Sequence, residues 1–575
     1  MNARTTLSAA LLLALGLAAG GAFAASPPTA MGGEPAITTK AEPVVTWAMA
    51  EFPQGMAATH VMAELDPKRI LEVQAHNARG GNVPTQIGVN RAVQAPLQAL
   101  KWVAAPGGSV ARVEITSPDA LGMRVGLDVS GLPAGVELRF AGDLLPDRIA
   151  RVPVEQAKSQ LSNGVYWSPM TDGATQVIEV FAPAGMPTAG LTLAAPQVSH
   201  LLTNTIEQFS LTKAIGDSGT CNVDTKCREA ALGQDFINAK NAVARMVFTK
   251  TGDSYTCTGT LLNDTDGNTQ VPYFWTANHC IGNQTVASTL QTFWGFEATV
   301  CGGSTAAANT ARSGGAAYLY SEVNTDAALL RLNDTPPAGA YYAGWDANPL
   351  AAGASVLAIH HPSGDLKKSS LGNQISQDSY NIEVGWTSGT TEGGSSGSGL
   401  FTLGNGYQLR GGLYGGDATC ANSGNLGNSL NRDYYSRLDV VWPQVQSYLA
   451  PTPQSFGPSA GRDYTGAWYN PAEAGWGLTV YQYAPPANNL FVMFFIYDQT
   501  GKAQWFEFDG TWTATDVRSG NMLQSTAGAW GPTYNPALRQ FTVAGNATLT
   551  FTSATTANVT FTVNGATRTI ALQKL

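Results

Sequence analysis

The cysteines divide this 575-residue chain into three parts. All six lie between Cys221 and Cys420, and the first 220 and last 155 residues contain none. An even number within one segment predicts three disulfide bonds, although six cysteines allow 15 connectivities. Free thiols or a metal site are the alternative, but the segment has no CxxC or Cys/His ligand spacing. The pattern predicts one cross-linked central domain between two cysteine-free modules.

The N-terminus predicts export. Arg4 gives a charged start, residues 11–19 are apolar, and Ala22 and Ala24 form a small-residue cleavage site. This pattern is typical of a secretory signal peptide, here residues 1–24. No later segment approaches about 18 consecutive apolar residues, so we expect no membrane span and a soluble, secreted protein.

The composition limits the partners. Only 13% of the residues are charged, and the chain carries 63 Gly and 19 Tyr, which is typical of secreted β-rich proteins. A net charge of -9 and a pI near 5.2 argue against a nucleic-acid partner, because phosphate binding requires clustered Lys and Arg. We therefore expect no nucleic-acid partner.

The two flanking modules both resemble β-structure. Residues 25–213 contain alternating stretches at 111–115 and 175–181 between Pro and Gly turns, which predicts a β-sandwich. Between a signal peptide and the cross-linked central domain, such a module is most simply a propeptide, and a permanent accessory domain is the alternative. Residues 451–462 form a Pro-rich linker, and residues 463–575 predict a small all-β domain.

In the C-terminal module, strands at 490–497 and 503–508 flank a turn, and Asn564-Gly565 is typical of a type I′ hairpin. Its tryptophans are either platforms for a polymeric substrate or the core of a small barrel, and the strand pattern favours the core. They are Trp468, Trp476, Trp505, Trp512 and Trp530.

The central segment, residues 214–450, predicts regularly spaced strands that fit paired β-barrels better than a parallel sheet. The strands are expected at 242–248, 255–262, 271–277, 326–332 and 408–414, with a closing helix at 442–449.

The run 392–398 contains three candidate nucleophiles, Ser395, Ser396 and Ser398. The Gly-x-Ser-Gly turn presents its central serine, which favours Ser396, and the N–H groups of Gly394 and Ser396 would form an oxyanion hole. The alternative is a flexible Gly/Ser loop. A serine hydroxyl needs a nearby imidazole to take its proton, and Ser396 follows a histidine-bearing strand in the chain, which indicates a serine endopeptidase. We therefore expect protein or peptide substrates, with no metal or organic cofactor.

His279 is the candidate base, because it follows a strand and its neighbour Cys280 could be tied to Cys257. His360 and His361 could suggest a metal pair, but adjacent residues on a strand point to opposite faces, so we interpret both as structural.

Asp326 opens an apolar strand and is the candidate carboxylate that would orient His279. The competing carboxylates sit in turns or before prolines, where a capping role is expected; they are Asp334, Asp346 and Asp365.

Residues 216–450 resemble a lysyl endopeptidase of the chymotrypsin superfamily. The resemblance rests on segments 218–224, 257–260, 276–280, 359–362 and 392–398, and on Asp326 before an apolar strand. It implies a chymotrypsin-like double β-barrel. It also implies three disulfide bonds, namely Cys221 with Cys420, Cys227 with Cys301, and Cys257 with Cys280.

The resemblance also implies a substrate pocket. Trypsin would have an aspartate where this chain has Thr390, and the resemblance instead points to Asp433 as the partner of a lysyl ammonium. This predicts Lys, then Arg, at P1; a turn-capping Asp433 beside Arg432 is the alternative. At the position of the family's pocket histidine this chain has Tyr414, which is followed by Gly415. The indole that stacks on that histidine in the family has no clear counterpart in the stretch that precedes Trp386. Loss of that histidine argues against a glutamate-preferring relative.

Activation must differ from that of trypsin, because Ser395 replaces the aspartate that would bind a new N-terminus. Removal of a propeptide that covers the cleft is expected, and Lys213 in the exposed connector is the expected processing site. The alternative functions are a catalytically silent binding or adhesion protein on a protease scaffold, or a chymotrypsin-like protease with another P1 preference.

Overall fold

The computed structural model describes most of the chain. The described residues are 28–37, 44–79, 83–94, 97, 99–206, 217–267, 269–404, 406–451, 457–459, 461–483, 489–498, 500–527, 531, 534–535, 538–563 and 565–575. The predicted signal peptide, half of the Pro-rich linker, Lys213, Trp530 and Asn564 lie outside them. No described helix is long and apolar enough to cross a membrane.

Residues 44–206 form an N-terminal sandwich, as the alternating pattern predicts. The chain first forms two short strands, β1 (Ala30–Met31) and β2 (Glu34–Pro35), which pair outside the sandwich. The sandwich elements are β3 (Ala58–Val61), α1 (Pro67–Asn77), β4 (Thr85–Ala92), β5 (Val103–Ala105), β6 (Gly108–Thr116), β7 (Gly122–Asp128), β8 (Glu137–Gly142), β9 (Ala150–Pro153), α2 (Val154–Ser159), β10 (Tyr166–Trp167), β11 (Thr171–Asp172), β12 (Thr175–Pro183) and β13 (Ala194–Leu201).

The sandwich consists of two sheets that enclose one core. One sheet has the order β3-β6-β12-β8-β9, and the other contains β10-β7-β13-β4. Val113 and Ile178 of the first sheet pack with Val125 and Val198 of the second, and all four are buried. Alternation of apolar and polar residues along each strand places one face in this core.

The central domain, residues 217–451, is also mostly β. Its elements are β14 (Val223–Asp224), a 3₁₀ turn (Thr225–Cys227), α3 (Glu229–Asn241), β15 (Val243–Lys250), β16 (Asp253–Leu262), β17 (Tyr273–Ala277), α4 (Gln284–Ala287), β18 (Gln291–Trp294), β19 (Thr310–Arg312), β20 (Ala316–Glu322), β21 (Ala327–Leu332), β22 (Tyr341–Tyr342), β23 (Trp345–Asp346), β24 (Ser355–His360), a 3₁₀ turn (Pro362–Gly364), β25 (Lys368–Gln377), β26 (Asn381–Ser388), β27 (Gly399–Thr402), β28 (Gln408–Gly416), β29 (Asp433–Ser436) and α5 (Leu438–Leu449).

These strands form two antiparallel units, as expected for the chymotrypsin-like fold. The second unit closes on itself through the pairings β24-β25-β26-β29-β28-β27 and back to β24. The first unit has the open order β18-β15-β16-β17-β21-β20. The disulfide bonds are Cys221–Cys420, Cys227–Cys301 and Cys257–Cys280, which are the pairs that the resemblance implies.

The N-terminal sandwich and the central domain share one sheet. Strand β4 pairs antiparallel with β16, so Thr85 lies opposite Thr256 and Gln86 opposite Tyr255. The two domains also share buried apolar residues, which are Ile87, Met170 and Leu201 from the sandwich and Val247, Phe293, Phe296, Ala298 and Leu366 from the central domain. Apolar burial of this kind stabilises the contact between them.

Residues 461–575 form a C-terminal barrel. Its eight strands close in chain order and are β30 (Gly466–Tyr469), β31 (Gly477–Gln482), β32 (Leu490–Tyr497), β33 (Ala503–Ala514), β34 (Val517–Thr526), β35 (Gln540–Phe551), β36 (Thr556–Val563) and β37 (Ala566–Lys574), with a 3₁₀ turn at Pro471–Glu473. Trp468 lies in the core, and Trp476 and Trp512 pack against it, but Trp505 is 56% exposed. The described tryptophans are therefore mostly core residues, as the sequence favours, with Trp505 outside it.

Candidate active site

The ends of two paired strands bring His279 and Asp326 together. In the β17–β21 pair, Ala277 lies opposite Ala327. Asp326, which precedes β21, therefore meets the turn that follows β17 and carries His279. Asp326 Oδ1 accepts the backbone N–H of His279 at 2.8 Å, and Oδ2 lies 2.6 Å from His279 Nδ1. Asp326 is 2% exposed and adopts a φ of +57°. The carboxylate therefore fixes both the backbone and the ring of His279.

The other ring nitrogen of His279 is buried and, among the described residues, has no hydrogen-bond partner. The Cys257–Cys280 disulfide joins β16 to the turn that carries His279. Ligand atoms of Cys257, His279 and Cys280 lie within 4.8 Å of one another, as in a metal site. However, the two sulfur atoms are bonded to each other and cannot act as thiolate ligands.

Ser396 lies beside the strand that leads to His279. Its carbonyl accepts the Thr258 N–H at 2.9 Å, and Gly397 donates to the Leu413 carbonyl at 2.8 Å. A Cβ on Gly397 would lie 2.7 Å from the Ala277 N and 2.6 Å from the Thr258 O, so only glycine fits there. This close approach places the serine turn against β16 and β17.

The neighbouring serine is held elsewhere. Ser395 is buried, its Oγ lies 2.8 Å from His360 Nδ1, and it accepts the Glu392 N–H at 3.2 Å. Burial lowers the pKa of His360 to about 3, so this imidazole is neutral near pH 7. His361 Nδ1 lies 2.9 Å from the Asp365 carbonyl. The rings of both histidines are therefore hydrogen-bonded to other buried groups, as expected for structural residues.

The backbone before Ser396 turns sharply at Gly394, whose φ is +90°. The Gly394 carbonyl accepts the Thr258 hydroxyl at 3.0 Å, and the Gly393 carbonyl accepts the Ser363 N–H at 2.5 Å. Within the described part of the chain, neither the Gly394 N–H nor the Ser396 N–H donates a hydrogen bond. Both donors that the sequence selects for an oxyanion hole are thus left for a ligand.

Asp433 begins β29 and is 1% exposed. Its Oδ2 accepts Trp386 Nε1 at 2.6 Å and the Thr391 hydroxyl at 2.7 Å. Desolvation raises the pKa of Asp433 to about 6, and these hydrogen bonds oppose the rise. Arg432 pairs with Glu383 at 3.0 Å, and no ion pair joins Asp433 to a cation in the described chain. The Asp433 carboxylate is therefore buried, unlike a surface cap, although the backbone N–H of Ala418 also hydrogen-bonds to it.

Ser396 and Asp433 line one cavity of about 800 Å³. Leu413, Gly415, Gly416 and Thr391 line it as well. The sequence also predicts Thr390 and Tyr414 as pocket residues, but neither lines the cavity. Thr390 is wholly buried, and its carbonyl accepts the Ser370 hydroxyl at 2.7 Å. Sequence reasoning did not select Thr391 or Trp386, although Thr391 lies only five residues before Ser396.

The competing carboxylates contact other groups. Asp334 accepts the Gly314 N–H at 2.6 Å, Asp346 pairs with Arg410, and Asp365 accepts the Ser218 hydroxyl at 2.6 Å. Each of these contacts therefore joins a loop or strand other than the turn that carries His279.

The N-terminal sandwich reaches the same cavity. Its lining includes Asn77, Val83, Pro84 and Thr85 together with Ser396 and Asp433. A Cβ on Gly393 would lie 2.6 Å from Thr85 Oγ1, which shows how closely the two domains approach here. Because Thr85 also begins β4, its pairing with β16 fixes residues 83–85 at the cleft.

Comparison with known proteins identifies the family to which both domains belong. A family model described as lysyl endopeptidase, C-terminal domain, matches residues 215–436, and one described as lysyl endopeptidase N-terminal domain matches residues 61–202. A lysyl endopeptidase of Pseudomonas aeruginosa is 38% identical over 477 residues, and the match covers 78% of this chain and 100% of that protein.

Among solved structures, the active form of the Rv3671c protease from M. tuberculosis is 17% identical; the match covers 42% of this chain and 94% of that chain, with a TM-score of 0.26. Deg5 is 12% identical, with 37% and 92% of the chains covered and a TM-score of 0.26. These TM-scores are too low for either likeness to carry an argument. The two family models and the full-length match to a curated relative, in contrast, show that this chain belongs to the lysyl endopeptidase family of serine endopeptidases.

Proposed function

We propose that this serine endopeptidase cleaves after Lys, and less efficiently after Arg, through an acyl-enzyme formed on Ser396. The observation that carries the proposal is the buried Asp433 carboxylate, which shares a cavity with Ser396 and has no cationic partner in the described chain. A lysyl ammonium would supply that partner. An apolar P1 side chain would leave the carboxylate desolvated and unpaired.

The His279–Asp326 pair supports the catalytic part of the proposal. His279 Nε2 takes the proton of Ser396 Oγ as this oxygen attacks the substrate carbonyl carbon. Asp326 accepts the Nδ1–H at 2.6 Å, selects the productive tautomer and stabilises the imidazolium. His279 then gives the proton to the leaving amine, and a water molecule hydrolyses the acyl-enzyme by the reverse transfers.

The N–H groups of Gly394 and Ser396 stabilise the negative oxygen of the tetrahedral intermediate. Removal of one such donor typically costs about 3 to 4 kcal/mol of transition-state stabilisation. The preceding glycine turn, with its φ of +90° at Gly394, supports this role.

Residues 25–213 act as a propeptide in this proposal. Residues 83–85 line the same cavity as Ser396, and pairing between β4 and β16 keeps them there. The enzyme is exported by its N-terminal signal peptide and becomes active when the chain is cut near Lys213, at the border between the N-terminal sandwich and the central domain. A lysine-preferring enzyme can make this cut itself; trimming by another protease within residues 210–217 is the alternative.

A fluorophosphonate probe tests the nucleophile. The processed wild-type protein should be labelled, and mass spectrometry of its peptides should locate the probe on Ser396. Folded Ser396→Ala protein should not react. Absence of label on processed wild-type protein would instead indicate a non-catalytic binding protein, and label on Ser395 would reject the assignment of Ser396.

A further inference from the structure

A short N-terminal segment lies on the central domain instead of on the N-terminal sandwich. We call residues 28–37 the strap. Strand β1 pairs antiparallel with β23, and β2 pairs antiparallel with β22. These partner strands belong to the connection between the two β units of the central domain. The strap also precedes the residues that either family model matches.

Backbone groups along the whole strap are hydrogen-bonded to the central domain. The carbonyl of Thr29 accepts the Ala347 N–H at 2.8 Å, and the Ala36 N–H donates to the Ala340 carbonyl at 3.0 Å. Side-chain amides hold the residues between them: Gln408 Nε2 donates to the Met31 carbonyl at 3.0 Å, Asn263 Nδ2 to the Gly32 carbonyl at 3.0 Å, and Gln270 Nε2 to the Pro35 carbonyl at 3.0 Å. This is strand addition, in which main-chain groups provide the affinity.

Close backbone contact at one point makes the site selective. A Cβ on Gly33 would lie 2.7 Å from the Tyr342 carbonyl oxygen and 2.9 Å from the Gly344 nitrogen. In contrast, a Cβ on Gly32 would meet no atom within 4 Å. Met31 packs against the core that contains Trp345 and Trp442. The edge therefore accepts an extended peptide with an apolar residue followed, two positions later, by glycine.

The strap gives the N-terminal part of the chain a second attachment. The N-terminal sandwich binds at β16, and the strap binds at β22 and β23, so the two contacts use different strands of the central domain. When two contacts are linked, dissociation of one leaves the other at high effective concentration, which strengthens the combined attachment.

We propose that residues 340–347 form a peptide-binding edge for the strap, which keeps the cut N-terminal part on the enzyme after the connector is cleaved. This inference rests on the proposed propeptide function. Activity then appears in two stages, cleavage of the connector followed by slower release of the sandwich.

Hydrogen exchange tests the edge without requiring activity. In full-length Ser396→Ala protein, the Ala347 amide should be protected, because it donates to the strap. Deletion of residues 28–37 should expose it, and a synthetic peptide of residues 28–37 should restore protection. The same peptide with Gly33→Val should fail, whereas its Gly32→Val counterpart should succeed. Equal protection with and without the strap, or no effect of the added peptide, would overturn the proposal.

Activation kinetics test the consequence. In the active full-length chain, connector cleavage, followed on gels, should precede the gain of peptidase activity. Gly33→Val should shorten this lag by about tenfold, while Gly32→Val should not. Equal lags in all three proteins would reject the second stage. If the cut chains never gain activity, the proposed function fails, and hydrogen exchange still decides whether the edge binds the strap.

Discussion

Asp433 combines a buried carboxylate with hydrogen bonds from two neutral side chains and from the Ala418 backbone. Trp386 and Thr391 both contact Oδ2, so they orient the carboxylate without neutralising its charge. Desolvation raises its pKa to about 6, which lies close to the working range of many enzymes. Selectivity for a cationic P1 residue should therefore depend on pH.

The first prediction concerns that dependence. Below its pKa of about 6, Asp433 is protonated and cannot pair with a lysyl ammonium. The ratio of kcat/KM for a Lys substrate to that for the matched norleucine substrate should fall about tenfold from pH 7 to pH 5. Any effect of pH on the bond-breaking steps that both substrates share cancels in the ratio. A ratio that stays constant over this range would contradict the role of Asp433.

The second prediction concerns Trp386. Trp386→Phe removes the hydrogen bond to Asp433, and hydrogen bonds to charged groups contribute about 1.5 to 3 kcal/mol. The preference for Lys over norleucine should drop about tenfold or more in kcat/KM. Trp345→Phe is the matched control, because Trp345 is equally buried and donates to the Asn263 carbonyl at 2.8 Å. Equal losses of preference in both variants would show that Trp386 acts only through packing.

Sequence reasoning at the residue scale selects His279, Asp326 and Asp433 but not Trp386. The first three occupy positions that local motifs and the family resemblance single out. Trp386 reaches Asp433 because Val384 pairs with Asp433 across β26 and β29, which brings together residues far apart in the chain. Such a contact depends on strand register, and no short turn joins β26 to β29 to set that register.

Strand β17 and the turn after it position the candidate base. The β17–β21 register sets the approach of Asp326, and the Cys257–Cys280 disulfide fixes the other side of His279. The position of the imidazole therefore depends on two independent constraints.

The third prediction tests the disulfide constraint. The double variant Cys257→Ala with Cys280→Ala removes a disulfide bond between residues 23 positions apart, and its loss should destabilise the fold by about 3 kcal/mol. It should also lower kcat with little change in KM. The double variant Cys227→Ala with Cys301→Ala removes a disulfide bond between residues 74 positions apart. It should lower the free energy of unfolding by about 4 kcal/mol but leave kcat near that of wild type. Unfolding curves and kinetics on folded protein give both quantities, and equal kcat losses would contradict the positioning role.

Strands were more predictable than helices. Strand β32 has the predicted bounds, because turn residues flank a continuous apolar run. Helix α1 was not predicted, although Asp66 accepts the Lys68 N–H and Pro67 occupies the first turn. Helix α5 begins at Leu438, four residues before the predicted start, and includes Pro443. Helix α3 was also missed, and Gly233 interrupts it with a φ of +71°.

The domains of the whole molecule differ in how they are joined. The N-terminal sandwich shares a sheet and apolar residues with the central domain, which the alternation within each strand could not reveal. The C-terminal barrel instead closes its own strands around its own core, which runs from Tyr464 to Leu572.

The fourth prediction follows from that closed barrel. Deletion of the chain after Pro451 should leave kcat and KM for small peptide substrates within about twofold of the full-length values, because the barrel has a separate core. The processed forms of both proteins should be compared at equal active-site concentration, measured by titration. A several-fold loss in kcat/KM would show that the barrel shapes the cleft.

The measurement that tests the central claim most directly compares P1 residues in wild-type enzyme and in Asp433→Asn. Matched peptides with Lys, Arg, Glu and norleucine at P1 give kcat/KM for each. The wild-type enzyme should prefer Lys, with Arg second. Asp433→Asn should lose at least about tenfold of the preference for Lys over norleucine while it retains turnover of norleucine, because the pocket loses its charge and Ser396 and His279 are unchanged. Equal wild-type rates for Lys and norleucine would contradict the account.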